Sequence, residues 1–185
     1  MAIPGWLTEN EGLRLEALAS ECTSGEVVEI GAFKGRSTAF LAKGCAQSNR
    51  VVHSVDHFRG SSEMRKDGIN PISEVVNDRS YASAFVETLM DHGLCGRVIA
   101  YISDSQSLAV FWQRNIEVLF IDAEHTYDGV KADFNAWSRF VMHGGFVCFH
   151  DYADANWPGV KKFVDEITGY VRVGVTDTMM VMMRS

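Results

Sequence analysis

The sequence predicts an α/β fold: a Rossmann-like, doubly wound, mostly parallel seven-stranded sheet with helices on both faces and an antiparallel C-terminal strand. Short apolar runs alternate with amphipathic stretches along the chain, as in a parallel sheet covered by helices. A glycine-containing loop follows the first apolar run and opens a helix. Carboxylates stand at or just past five predicted strand ends, and these are Glu29, Asp56, Asp104, Asp122 and Asp151. Ligands of such sheets bind beyond the carboxyl ends of the strands, so this edge is the predicted site.

The first half of the chain supplies three predicted strands. Thr8 and Glu11 form a capping box that predicts a helix over about residues 8–21. The predicted strands cover about 26–30, 51–56 and 97–102. Helices are expected after the glycine loop and near 80–92. The polar stretch 58–79 is too long for a plain connection and is expected to be a lid or a binding loop.

The second half repeats the alternation. A helix is expected near 105–114, a strand at 118–121 and another strand at 146–149, after the turn at Gly144–Gly145. A helical stripe faces the core at Val130, Phe134, Trp137 and Val141. Pro158 suits the first position of a further helix, where a missing N–H costs nothing. The tail from Tyr170 to Met183 reads as two strands joined near Asp177.

Composition limits the possible functions. The 185 residues are expected to form one domain (1–185), and a net charge of −7 argues against nucleic acid or an anionic membrane as the main partner. The four cysteines are scattered, which indicates reduced thiols in a cytoplasmic protein. No apolar run in the sequence is long enough to span a membrane.

The loop from Val27 to Ser37 indicates the cofactor. Its glycines are Gly31 and Gly35, and the bulky Phe33 stands where a pyrophosphate-binding loop needs a second glycine. Glu29 suits an ammonium group and would repel a pyrophosphate. The loop therefore favours a phosphate-free adenosyl ligand such as S-adenosylmethionine over a dinucleotide.

Four segments together resemble the class I S-adenosylmethionine-dependent methyltransferases. The chain is most similar to a small branch with macrocin-type sugar O-methyltransferases and cephalosporin-hydroxylase-like proteins. The resemblance covers about residues 26–168. It rests on segments 29–37, 54–56, 121–133 and 144–152, of which the last two, with their Ile-Asp-Ala-Glu-His and Phe-His-Asp-Tyr sequences, are the most specific.

The resemblance assigns roles around the cofactor. It implies that Asp56 holds the ribose hydroxyls, that Asp104 accepts from the adenine amino group, and that Glu29 helps bind the cofactor's ammonium group. The full expected cofactor set is Glu29, Gly31, Phe33, Gly35, Ser37, Asp56, His57, Asp104 and Asp122. Helix capping is the competing role for Asp56 and Asp104, since Ser-Asp-Ser before a helix is also a good N-cap.

The resemblance also implies the chemistry on the acceptor side. His125 is the expected general base, with His150 in reserve, and Asp122 and Asp151 are expected to orient the acceptor, together with Mg²⁺. The family carries another acid at the position of His150, which is a departure in this chain. The expected acceptor is a hydroxyl of a small molecule or sugar.

Three other functions fit parts of the pattern: a nicotinamide-dependent oxidoreductase, a non-catalytic S-adenosylmethionine-binding module, and a metal-dependent hydroxylase or hydrolase. The first conflicts with Phe33, the second leaves His125 without a purpose, and the third leaves the glycine loop without one. Two further alternatives stay open. The Met-rich tail is either a core strand or a contact in a homo-oligomer, and Trp112 and Trp157 either wall the pocket or pack elsewhere.

Overall fold

The computed structural model describes residues 3–61 and 81–185. The helices are α1 (Glu9–Ser20), α2 (Arg36–Gln47), α3 (Tyr81–Asp91), α4 (Ser105–Ala109), α5 (Tyr127–Trp137) and α6 (Pro158–Glu166). The strands are β1 (Glu26–Ile30), β2 (Val52–Asp56), β3 (Val98–Ile102), β4 (Ile116–Ile121), β5 (Val141–Phe149), β6 (Tyr170–Thr176) and β7 (Met179–Arg184). Most of the predicted loop 58–79 lies outside the described residues.

The strands form one sheet in the order β3-β2-β1-β4-β5-β7-β6. The neighbours from β3 to β5 are parallel, and β7 runs antiparallel to both β5 and β6. This confirms the predicted fold class. The chain leaves β1 toward β2 and β3 and then returns to the other side of β1 with β4. Ligand clefts of parallel sheets form where the order reverses in this way.

Successive strand residues face opposite sides of the sheet, and each side carries helices. Val27 packs with Leu15 of α1 and Phe40 of α2, whereas Val28 packs on the other face with Phe134 and Trp137 of α5. This alternation follows from the two-residue period of a strand. It explains why the residues from Val27 to Ile30 are apolar apart from Glu29.

The predicted helix and turn signals are present. Thr8 caps α1 in a capping box with Glu11, and Pro158 stands at the start of α6. Asp177 lies between β6 and β7 with φ +50°. Among the described helices, none has the length and apolarity to cross a membrane.

The predicted helix over 105–114 is too long. Helix α4 ends at Ala109, and the Ala109 carbonyl accepts a hydrogen bond from the Arg139 guanidinium at 3.1 Å. The Trp112 indole donates to the Arg114 carbonyl at 2.8 Å and packs on Trp137. The Ala109 carbonyl also accepts from the Trp112 backbone N–H at 3.3 Å, so a local turn together with the Arg139 contact ends the helix.

The assignment of Val141 to a helical stripe is also wrong. Helix α5 ends at Trp137, and Val141 is the first residue of β5, paired with Ile116. The glycines at 144 and 145 lie inside this strand, where the register shifts between Ile116 and Val118. The extra residues bulge out of the ladder, and Gly144 takes a φ of +78° there.

The buried methionines decide one open alternative. Met179, Met180 and Met182 are at most 3% exposed and belong to the core through β7. The tail is thus a core strand. All four cysteines lie in the described residues and are free thiols, with only Cys95 exposed.

Candidate functional site

A cleft of about 1050 Å³ opens at the carboxyl ends of the central parallel strands. This volume is at the upper end for ligand sites and leaves room for a cofactor and an acceptor together. Its walls include most of the predicted site residues: Gly31, Phe33, Ser37, Asp56, His57, Asp104, Asp122, His125 and Asp151. Glu29 and Gly35 are not among the described residues that line it.

Glu29 lies beneath the loop in a fully buried position. Its carboxylate accepts hydrogen bonds from the hydroxyls of Ser37 at 2.5 Å, Thr38 at 2.6 Å and Ser54 at 2.7 Å. Burial raises the pKa of Glu29 to about 7, against the lowering effect of these hydroxyls. The structure thus gives Glu29 three partners within the protein and does not bring it to the cleft wall, where the predicted ammonium contact would be made.

The two glycines of the loop serve different needs of the backbone. Gly31 has φ +94°, and a Cβ there would lie 2.2 Å from the Asp122 carbonyl oxygen. Only glycine lets the ends of β1 and β4 approach this closely, and the approach places Asp122 beside the loop. Gly35 has φ +87° and is the N-cap residue before α2.

Phe33 takes the left-handed conformation, with φ +47°, at the position where a pyrophosphate loop has glycine. Its ring stacks on Trp6 at 4.8 Å between centroids and lies 4.8 Å from the Tyr81 ring. All three rings line the cleft. Trp6 and Tyr81 were not predicted as site residues, because the N-terminal segment and α3 meet the loop only in the folded chain.

Asp56 holds the glycine loop. One oxygen accepts from the backbone N–H groups of Ala32 and Phe33, both at 2.8 Å, and the other accepts from Phe58 N–H at 2.6 Å. The His57 ring stands at the same edge, with Nδ1 3.8 Å from Asp56 Oδ1. Asp56 therefore sits on the cleft wall as predicted and also fixes the loop, while its contact with a ribose stays a prediction.

Asp104 performs the competing role that the sequence allowed. It caps α4 by accepting from Ser107 N–H at 2.9 Å, and it also lines the cleft. Beneath it lies Asp133, which is 2% exposed and accepts from the Ser105 hydroxyl. Burial raises the pKa of Asp133. Asp133 was not predicted as a site residue, although a carboxylate next to Phe134 on an apolar helical stripe was a usable signal.

Two carboxylates and two imidazoles meet at the ends of β4 and β5. His125 Nε2 lies 3.5 Å from Asp122 Oδ1 and 3.2 Å from Asp151 Oδ2. His150 Nδ1 lies 3.1 Å and 3.3 Å from the same two oxygens. The structure thus brings Asp122, His125 and Asp151 together as predicted, and it adds His150 as a fourth member of this histidine–carboxylate cluster.

The cluster is electrostatically coupled. Burial opposes the charged form of His125, but the carboxylates of Asp122 and Asp151 outweigh it and raise the pKa of His125 to about 10. The same balance raises the pKa of His150 and lowers the pKa values of Asp122 and Asp151. With these partners, His125 keeps its proton near neutrality, whereas a solvated histidine would release it near 6.5.

The two tryptophans left open by the sequence have different roles. Trp157 lines the cleft, and its ring stacks on His125 at 4.7 Å. Trp112 packs in the core against Trp137 and His53. Of these two tryptophans, only Trp157 therefore forms an aromatic wall beside the cluster.

The donor groups of the cluster fit a divalent cation. Asp122, His125 and Asp151 each offer one ligand atom, and these atoms lie within 4.8 Å of one another. Two carboxylates suit Mg²⁺, which needs few protein ligands and keeps several waters. The imidazole is a softer donor that also suits Mn²⁺ or Zn²⁺.

Glu11 reaches the cluster from α1 and was missed as a site residue. It is fully buried, and its Oε2 lies 3.2 Å from His150 Nε2. Burial would raise its pKa, but His150, Thr8 and Thr178 overcome that effect and lower the pKa of Glu11 to about 2. The sequence showed only its capping role, because the contact with His150 joins residues 139 positions apart.

The comparison with known proteins decides the family. Residues 28–152 match the family described as "Methyltransferase domain". This matched region contains both loop glycines, Asp56 and the whole histidine–carboxylate cluster. The chain belongs to this methyltransferase family. The match covers the loop and the cluster in one continuous region, in agreement with the resemblance drawn from the motifs.

Individual relatives of this methyltransferase-family chain are distant. Uncharacterized protein R132 of Acanthamoeba polyphaga mimivirus is 26% identical over 150 residues, covering 80% of this chain. The chain spans 61% of the length of that curated relative.

Two solved structures share the fold at low identity. Cofactor-bound Rv0187 from MTB has a TM-score of 0.73 at 17% identity, covering 98% of this chain and 83% of that one. The O-methyltransferase TomG from Streptomyces achromogenes, involved in tomaymycin synthesis and solved with SAM, has a TM-score of 0.68 at 16% identity, covering 97% and 82%.

Proposed function

We propose that this chain transfers a methyl group from S-adenosylmethionine to a hydroxyl oxygen of a small molecule or sugar. The observation that carries the proposal is one cleft, in a methyltransferase-family chain, that holds both the glycine loop with Asp56 and the histidine–carboxylate cluster. Cofactor and acceptor would lie side by side in its volume of about 1050 Å³. The complex of TomG with SAM supports this choice of cofactor.

The transfer is a displacement at the methyl carbon. The acceptor oxygen forms a bond to that carbon, the bond from carbon to the sulfonium sulfur breaks, and the sulfur keeps the electron pair. The acceptor's proton must leave, and His125 is the proposed recipient in its unprotonated form. Asp122 and Asp151 orient the acceptor hydroxyl, because positioning two reactants removes much of the entropic barrier to their reaction.

A divalent cation is part of the proposal as a partner of the Asp122 and Asp151 carboxylates, so that the His125 imidazole keeps its lone pair for the acceptor's proton. Bound there, it would supply positive charge for the acceptor's oxygens and offset the pull of both carboxylates on the His125 proton. Magnesium is the first ion to test, since the two carboxylates are hard oxygen ligands.

The test is transfer of isotope-labelled methyl groups from S-adenosylmethionine to a panel of hydroxylated small molecules and sugars, with and without Mg²⁺. We expect label in a hydroxylated product with the wild type. The His125→Ala variant should bind the cofactor with unchanged affinity and lose at least about 100-fold in turnover, as general bases contribute about that much. Full activity of that variant would remove His125 from the mechanism.

A further inference from the structure

Glu11 is buried more deeply than a helix cap requires. It accepts from Thr8 N–H at 2.8 Å within the capping box of α1. Such a cap stabilises a helix and works at the surface. Removing a carboxylate from water is unfavourable unless other polar groups compensate. The complete burial of Glu11 therefore calls for further partners.

Those partners belong to the far end of the chain. Thr178, between β6 and β7, donates to Glu11 Oε1 from its N–H at 2.9 Å and from its hydroxyl at 2.7 Å. The other oxygen of Glu11 faces His150 Nε2 at 3.2 Å. One carboxylate thus connects α1, the β6–β7 turn and the end of β5.

The contact with His150 sets the orientation of that ring. A carboxylate only accepts hydrogen bonds, so the nitrogen facing Glu11 carries a hydrogen. The other nitrogen, Nδ1, then faces Asp122 Oδ1 at 3.1 Å and Asp151 Oδ2 at 3.3 Å. His150 is 5% exposed, and Glu11 is the partner that holds it from the side away from the two aspartates.

We propose that Glu11 is a positioning residue of the transfer site. It fixes the His150 ring, and the ring in turn holds Asp122 and Asp151 in the relative placement that the acceptor requires. The role rests on the proposed methyl transfer. It makes α1 a part of the active centre as well as a part of the core.

The first test is a double-mutant cycle on turnover with the acceptor found in the transfer assay. Glu11→Gln should lower kcat by about 10- to 100-fold, as small displacements at a reacting centre do, with little change in the KM for S-adenosylmethionine. In a His150→Gln background the same change should cost almost nothing further. The proposal would be overturned if the two substitutions lowered kcat independently, so that the double variant showed the product of the two losses. An unchanged kcat in Glu11→Gln would also overturn it.

Matched variants separate positioning from capping. Thr8→Ala removes the hydroxyl of the same cap and leaves Glu11 in place, so it should lower stability but not kcat. Glu9→Gln changes a carboxylate on the same helical turn that is 69% exposed and should leave both unchanged. If Glu11→Gln fails to fold, Glu11→Asp keeps the charge and withdraws it from His150 by one methylene. The same loss of kcat is then expected.

A second test needs no acceptor. Long-range ¹H–¹⁵N NMR spectra report which nitrogen of each histidine ring carries hydrogen, and the His150 signals are identified by their loss in His150→Gln. Glu11→Gln should shift them and Glu9→Gln should not. Unchanged His150 signals would overturn the positioning role. A wild type that binds no S-adenosylmethionine would instead refute the proposed function. The spectra would then still show whether Glu11 contacts the His150 ring.

Discussion

Glu29 carries a fully buried carboxylate whose described partners are three hydroxyl groups. Its ordinary pKa of 4.5 rises to about 7 in the folded protein. The folded state therefore binds more protons than the unfolded state between these two values, so its free energy of unfolding falls as pH rises through that window. The shift corresponds to about 3 kcal/mol when the window is crossed completely.

This gives a prediction for Glu29→Gln. The variant lacks the titrating group, so the wild type should lose up to about 3 kcal/mol of stability relative to it between pH 4.5 and pH 7. Urea unfolding at a series of pH values measures the difference, with the exposed Glu9→Gln as the control. Parallel curves for the wild type and Glu29→Gln would show that the carboxylate is ionised without penalty.

Asp56 holds the glycine loop, and one substitution should also test its proposed contact with the cofactor. Its carboxylate accepts from the N–H groups of Ala32 and Phe33, and we propose that it also binds the ribose. We predict that Asp56→Ala weakens binding of S-adenosylhomocysteine by about tenfold or more, because charge-assisted hydrogen bonds are lost in the loop and at the ligand. Calorimetric titration measures this, with the exposed Asp91→Ala as the control, and equal affinities of the wild type and Asp56→Ala would refute the proposed ribose contact.

At the scale of elements, α1 and α2 pack closely because Gly44 of α2 has no side chain where the two helices meet. A Cβ at Gly44 would lie 2.2 Å from the Glu16 carbonyl oxygen and 2.8 Å from Ala19 Cβ. Alanine is the better helix former by about 1 kcal/mol, but here it would collide with the backbone of α1.

We therefore predict that Gly44→Ala destabilises the protein by about 1–3 kcal/mol, as overpacked cores do. The control is Gly96→Ala, where a Cβ meets nothing within 4 Å and the free energy of unfolding should change by no more than about 0.5 kcal/mol. Thermal unfolding of both variants measures the contrast. An unchanged free energy of unfolding in Gly44→Ala would mean that α1 moves to accommodate the methyl group. A helix that moves so easily would also weaken the case that Glu11, on α1, positions His150.

Elements with a local signal could be predicted from the sequence. The capping box marked α1, Pro158 marked α6, and the carboxylate at each strand end marked the edge that carries the cleft. Elements that end through tertiary contacts could not be predicted. Helix α4 ends at Ala109, whose carbonyl accepts a hydrogen bond from the Arg139 guanidinium. The residues next to Ala109 in the sequence do not predict that contact.

The site shows the same division. Asp122 and Asp151 were predictable because each directly follows or closely follows a buried strand of a parallel sheet, and His125 was predicted from the family resemblance. Glu11 and Trp6 were not, since the N-terminal segment meets the site only across the finished sheet. The position of Glu29 depends on which side of β1 its side chain faces, and the hydroxyls of Ser37 and Thr38 on α2 decided it.

For the whole molecule, the cleft joins segments from nearly the full length of the described chain. The N-terminal segment supplies Trp6 and Glu11, β1 and β2 supply the loop and Asp56, and β4 and β5 supply the cluster. The reversal of strand order between β1 and β4 places the loop beside Asp122. The proposed methyl donor and acceptor could therefore meet only in the assembled sheet.

The most direct test of this account is calorimetric titration of the wild type with S-adenosylmethionine and S-adenosylhomocysteine, with and without Mg²⁺. We predict binding of both ligands at one site, strongly weakened in Asp56→Ala and unchanged in His125→Ala. Those two results together would place the cofactor at the loop and leave the cluster for the acceptor. No binding of either ligand under any of these conditions would contradict the proposed methyl transfer.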